Sequence, residues 1–283
     1  MSCLLHQDFV FIYNDCYNNT YTSRCCLLKG EKRTIDDIIQ NIDEILTTKT
    51  DLNFISEGHS HTCKHDCSFL KATKLVISLI RICNLRCYNC CAGFDDKTIR
   101  TSNIKNITEN KKSLFKLLYG LKNKHLDDII LDGSGEIFFY YKDVEQWLSQ
   151  LTINDFKMIE FTTNASLLNK AKIEDLKKIS ESTGIKYRFV ISIDGISKET
   201  FENTRRGASF EKVMENFNLL IKYFSNKNVN IIYTRKKTNA SENLEDVQYF
   251  FNEKGVSVKF NFDYYDPEIF KNIDNKYKWD NLN

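Results

Sequence analysis

From about residue 72 the chain alternates short apolar runs with stretches of helical spacing, and this order constrains its fold more than any other feature. The runs read as strands at 75–81, 128–132, 158–162, 187–193, 229–233 and 256–262. A helix around 109–123 places Leu114, Leu117, Leu118 and Leu121 on one side, and a second at 141–151 carries Val144, Trp147 and Leu148. A third runs from about 169 to 182. Ser209 suits the N-cap of the next, whose Phe210, Val213, Phe217 and Leu220 form one stripe. A last helix at 243–253 is ended by Gly255. The pattern predicts βαβ units and a parallel sheet, with too few repeats for a closed eight-stranded barrel.

The first strand runs directly into Cys83-Asn-Leu-Arg-Cys87-Tyr-Asn-Cys90-Cys91. The spacing Cys-x3-Cys-x2-Cys offers three thiolates in one short loop. Three thiolates can hold three irons of a [4Fe–4S] cube and leave the fourth without a protein ligand, whereas electron-transfer clusters mostly use four cysteines. The alternative is a structural zinc site completed by Cys91 or a histidine. Adjacent Cys90 and Cys91 are poorly placed for two corners of one tetrahedron. This loop resembles the motif of the radical S-adenosylmethionine (radical SAM) superfamily. The resemblance implies an α/β fold of the partial (β/α)6 TIM-like barrel type over residues 71–270, followed by a tail at 271–283. It also implies that Cys83, Cys87 and Cys90 hold a [4Fe–4S] cluster whose open iron is chelated by the methionine part of SAM.

In barrels of this kind chemistry gathers at the C-terminal ends of the strands, and three further segments fall there. Gly133-Ser134-Gly135-Glu136 follows the second strand. Glycines allow close backbone approach, and Ser134, Gly135 and Glu136 match the family's Gly-Gly-Glu segment that holds the methionine amino group. Thr162-Thr163-Asn164-Ala165-Ser166-Leu167-Leu168 follows the third strand and is similar to a family segment; it reads either as a turn before a helix capped by Asn164 or as a site wall presenting Thr163 or Asn164. Ser192-Ile193-Asp194-Gly195, followed by Arg205-Arg206-Gly207 and Phe210, resembles the peptide-modifying and cofactor-maturing branch. There Ser192 and Asp194 would lie near SAM, and Arg205 or Arg206 would grip its carboxylate bidentately. Asp194 reads equally well as a residue that shapes the loop. The family's aromatic before the third cysteine is replaced by Asn89, which passes the adenine contact to Tyr88 or Phe94.

All ten cysteines lie in the first 91 residues. Residues 1–70 read as a small cysteine-rich module around one amphipathic helix, Thr34 to Leu46, with Ile35, Ile38, Ile39, Ile42, Ile45 and Leu46 on its apolar side. Cys16, Cys25, Cys26, Cys63 and Cys67 surround it, and His59, His61 and His65 lie close to the last two. Their order resembles the auxiliary-cluster (SPASM or twitch) modules of radical SAM enzymes, although those usually follow the barrel. A second Fe–S cluster, a zinc site and free thiols all remain open for this module.

Lys and Arg number 40 against 38 Asp and Glu, so no net field points to nucleic acid. Arg235-Lys236-Lys237 reads as a solvated loop. No run approaches the ~18 apolar residues of a membrane span, and ten cysteines without a secretory signal predict a cytoplasmic protein doing metal or redox work. The resemblance implies an enzyme that reductively cleaves SAM with an electron from flavodoxin or ferredoxin, and abstracts a substrate hydrogen. The leading expectation for the substrate is a peptide or protein side chain. The alternatives are a small molecule (sugar, nucleoside or cofactor precursor) and, outside enzymology, a zinc-stabilised binding module.

Overall fold

The computed structural model describes residues 9–14, 20–23, 31–47, 74–90, 106–124, 126–132 and 135–262, together with Lys97, Thr101 and Ile104. Its barrel strands are β4 (Lys74–Ser78), β5 (Leu126–Leu131), β6 (Phe156–Thr163), β7 (Lys186–Ser192), β8 (Val229–Arg235) and β9 (Val258–Phe262). All six are parallel and pair in chain order, forming the curled sheet of a partial TIM-like barrel. Side chains alternate between the two faces of a strand. One face holds Leu75 and Ile77, Ile129 and Leu131, Ile159 and Phe161, Tyr187, Phe189 and Ile191, and Val229, Ile231 and Tyr233, all at most 1 % exposed. The intervening Ser78, Asp132, Glu160, Arg188 and Ser192 are half-buried on the other face. Complete burial of one such apolar side chain stabilises the fold by about 1.5–3 kcal/mol, so the register cannot slip by one residue without exposing the whole row.

The helices bury their apolar stripes against that row. They are α3 (Ile107–Gly120), α4 (Tyr141–Leu148), α5 (Lys170–Thr183), α6 (Lys198–Thr204), α7 (Phe210–Phe224) and α8 (Leu244–Asn252). Leu114, Leu117, Leu118, Val144, Trp147, Val213, Phe217 and Leu220 are fully buried in one core, as the spacing predicts. Ser209 caps α7 by accepting from Lys212 N–H, and Gly184 ends α5 at φ +74°. Helix α6, between Gly195 and Arg205, is absent from the sequence reading; its seven residues are too few for a clear helical period, and its anchor is Phe201, fully buried.

Residues before the barrel add to the same sheet. β1 (Phe9–Asn14) runs parallel to β4, β2 (Thr20–Ser23) is antiparallel to β1, and β3 (Glu31–Lys32) forms the edge. The single helix expected from Thr34 to Leu46 is two, α1 (Ile35–Gln40) and α2 (Ile42–Thr47). The break falls at Asn41, whose amide donates back to Asp37 Oδ1 at 2.7 Å while its backbone leaves the helical region. Gly120 lets α1 approach α3 closely, since a Cβ there would lie 2.5 Å from Ile39 Cδ1. Cys3, Cys16, Cys25, Cys26, Cys63, Cys67, Cys91, His59, His61, His65, Phe94, Gly133, Ser134 and the 271–283 tail lie outside the described residues.

Candidate active site

The cysteine loop leaves the C-terminal end of β4 and is tied down by loops from the ends of β6, β7 and β8. Arg86 N–H donates to Arg206 C=O at 2.9 Å and Tyr88 N–H to Thr204 C=O at 2.8 Å. Asn84 donates to Ser166 Oγ at 2.8 Å. Lys236, at the end of β8, is only 7 % exposed. Its ammonium donates to Tyr88 C=O at 2.6 Å and to Asn89 C=O at 2.9 Å. The expected solvated basic loop is therefore corrected: Lys236 is buried against the cysteine loop, and Arg235 donates to the carbonyls of Asn239, Ala240 and Glu242. A buried ammonium needs such oxygens.

Within this frame Cys83, Cys87 and Cys90 are reduced and half-buried. Burial pushes the Cys83 thiol up to about 12. It also pushes up the Cys87 thiol, against the opposing pull of Arg205. A thiol so placed releases its proton readily only when a metal or a neighbouring cation stabilises the thiolate. Cys83 Sγ accepts from Leu85 N–H at 3.4 Å and faces the Asn164 amide at 3.7 Å. Among the described residues no three His, Cys, Asp or Glu side chains converge to hold a single metal ion. A cube spreads its thiolates over separate irons and needs no such convergence, so this soft three-sulfur set fits a [4Fe–4S] cluster.

Two groups of the expected residues meet the cysteines, one at Cys83 and the other at Cys87. On the Cys83 side, Glu136 is fully buried and accepts from Thr163 Oγ1 (2.8 Å), Asn164 N–H (2.7 Å) and Phe138 N–H (3.1 Å). Burial raises its carboxyl pKa despite these three donors. Gly135 sits where a side chain has no room, because a Cβ would lie 2.5 Å from Ile82 C=O. Asn164 is not the cap of the following helix, a place held by Asn169. Its amide spans Cys83 and Asn84, and its Oδ1 accepts from Ser166.

On the Cys87 side, Arg205 Nη2 lies 2.8 Å from Asp194 Oδ2, and Nη1 is 4.0 Å from Cys87 Sγ. Burial alone would weaken the guanidinium's hold on its proton, but Asp194 and the thiols reverse this and keep Arg205 charged. Asp194 Oδ1 also accepts from Thr234 N–H at 2.7 Å, which joins the ends of β7 and β8. Asp194 thus shapes the loop and holds the arginine at once. Arg206 is exposed and lies over the Tyr88 ring at 5.3 Å, a cation–π contact. Ser192 ends β7, half-buried, two residues before Asp194.

Two residues central to this arrangement carried no sequence signal of function. One is Lys236. The other is Asn239, fully buried, which donates to Asp194 C=O and Thr234 C=O and accepts from Lys236 N–H. The only available clue was position, at the end of a barrel strand.

With strand-end loops converging on three cysteines, the family comparison is decisive: the profile of the radical SAM superfamily matches residues 77–250, more than half of the chain. The chain belongs to the radical SAM superfamily. It is an enzyme of the radical SAM class, and membership implies a [4Fe–4S] cluster and SAM as cofactors and a source of reducing electrons. Comparison with curated proteins gives no match. Among the described residues, no helix of this radical SAM protein is long and apolar enough to cross a membrane.

Proposed function

We propose that this radical SAM enzyme holds its cluster on Cys83, Cys87 and Cys90 and acts on a peptide or protein side chain. Held on these cysteines, the cluster would supply one electron to SAM, dividing it into methionine and a hydrogen-abstracting 5′-deoxyadenosyl radical. The protein's own work is to orient and to exclude water. Arg205, held by Asp194, offers a guanidinium to the SAM carboxylate. Gly135 brings backbone close, Asn164 donates at Cys83, and Ser192 and Arg206 line the approach. Ser134, by its match to the family segment, joins the amino-group side.

The observation that carries this reading is the buried Asp194–Arg205 pair beside Cys87. It supports reading the Ser192-to-Phe210 segment, the part most similar to the peptide-modifying branch, as a wall of the site. In the same reading the front cysteines Cys16, Cys25, Cys26, Cys63 and Cys67 bind a second cluster, and flavodoxin or ferredoxin delivers the electrons.

The test is anaerobic reconstitution, then dithionite and SAM, with 5′-deoxyadenosine measured alone and with short peptides encoded beside the gene. Peptide-stimulated 5′-deoxyadenosine with a mass change on a peptide side chain is expected. Stimulation by a sugar, nucleoside or cofactor precursor instead would move the substrate to the small-molecule class. A Cys83/Cys87/Cys90→Ala triple variant should keep iron and sulfide on the front cysteines; a metal-free triple variant would remove the second cluster from the proposal.

A further inference from the structure

We infer that Lys236 is a positioning residue for the cluster: its buried ammonium clamps the Cys87–Cys90 turn to the end of β8 and raises the reduction potential of the iron held there. The inference rests on the assignment of Cys83, Cys87 and Cys90 as cluster ligands.

Three observations converge on it. The ammonium makes its two bonds to Tyr88 C=O and Asn89 C=O, the residues between the second and third cysteines. Asn89 is a non-glycine residue at positive φ, +45°. Asparagine tolerates this left-handed region better than most side-chain-bearing residues, and the Lys236 bond to its carbonyl holds it there. Lys236 is itself fixed, because its backbone N–H donates to Asn239 Oδ1 at 2.7 Å and Asn239 is anchored to Asp194 C=O. The backbone from which the ammonium reaches the cysteine loop is therefore held in place, and Lys236 is only 7 % exposed.

The charge has an electrostatic consequence. A one-electron reduction adds one negative charge to the cluster, and a nearby buried cation favours the reduced form. Hydrogen bonds to the two carbonyls also draw electron density away from the turn that carries Cys90. Arg205 faces SAM in the proposed function, whereas Lys236 is spent on the loop itself, so its effect should survive in the absence of SAM.

The test is a redox titration of the reconstituted full chain, followed by the EPR signal of the reduced cluster, for wild type, Lys236→Met and Lys236→Arg. Circular dichroism and iron and sulfide content are measured on the same samples. Lys236→Met is expected to favour the oxidised cluster by about tenfold at a given potential, a downward shift of about 59 mV for one electron. Lys236→Arg, which keeps charge and reach, should recover most of that shift. A Lys236→Met protein with wild-type metal content and midpoint would overturn the inference, as would Lys236→Arg behaving like Lys236→Met. If Lys236→Met does not fold, Lys236→Gln is titrated in its place; it keeps one donor without the charge, and an unchanged midpoint again overturns the inference. Wild-type protein without iron and sulfide would instead sink the cysteine assignment, a result separable from either outcome.

Discussion

Replacing Asp194 with Asn tests how the site is held open for its ligand. Asp194 is 1 % exposed and the Arg205 side chain 13 %, so water screens the pair little. The substitution keeps an oxygen for Thr234 N–H, removes the negative charge and puts an amide NH2 in place of the oxygen that faces Arg205 Nη2. Arg205 is left as a buried cation beside Cys87. Removing one partner of a buried ion pair costs about 3–5 kcal/mol, against a total of about 5–15 kcal/mol for a typical domain. Asp194→Ala should cost about 1–3 kcal/mol more, because Thr234 N–H also loses its acceptor. The assay is a double-mutant cycle by urea unfolding with Arg205→Met as the second change. In the double variant the uncompensated buried cation is gone, so it should regain at least half of the loss seen in Asp194→Asn. Singles within about 1 kcal/mol of wild type, or losses that simply add, would refute the pair as the element that fixes Arg205.

Other outcomes follow from the same geometry. Gly135→Ala should fail to accumulate as folded protein, because its Cβ would press on the backbone carbonyls of Ile80 and Ile82; soluble yield and thermal melting check this. Glu136 has a raised native pKa, so the folded state holds a proton that the unfolded chain has released. Its contribution is present below the usual carboxylate pKa and fades as pH rises through the raised value. Glu136→Gln should remove that part of the pH dependence, which urea titrations at a series of pH values would read; an unchanged slope would contradict it. Asn164→Ala should leave iron content intact but lower the cluster midpoint, because one donor at Cys83 Sγ is lost; EPR-monitored titration decides.

The barrel was legible because its strands obey two simple rules at once. Runs such as Phe156–Thr163 and Lys186–Ser192 put apolar residues on the helix-covered face, and the helices between them repeat Leu, Val and Phe at helical spacing. Boundaries moved by two or three residues: β5 and β6 start two residues early where they pair, as at Leu126 opposite Phe156, whereas β4 ends at Ser78, three residues before its apolar run does. The cysteine loop was legible because its ligands are close in sequence. Lys236 was not, because its partners Tyr88 and Asn89 are 148 and 147 residues away, and a basic triplet alone has the composition of a solvated turn. The addition of β1 to the sheet was missed for a related reason. Phe9-Val-Phe-Ile-Tyr-Asn14 is a good strand run, but its partner, β4, lies about sixty residues on.

The most direct measurement of the central claim is iron, acid-labile sulfide and 5′-deoxyadenosine on anaerobically reconstituted protein, comparing wild type with Cys90→Ala and Cys91→Ala. At least about four irons and four sulfides per chain are expected in wild type, with 5′-deoxyadenosine formed from SAM and dithionite. Cys90→Ala should abolish that product, and Cys91→Ala should keep most of it. Product formation surviving in Cys90→Ala but lost in Cys91→Ala would contradict the ligand assignment on which the whole site is built.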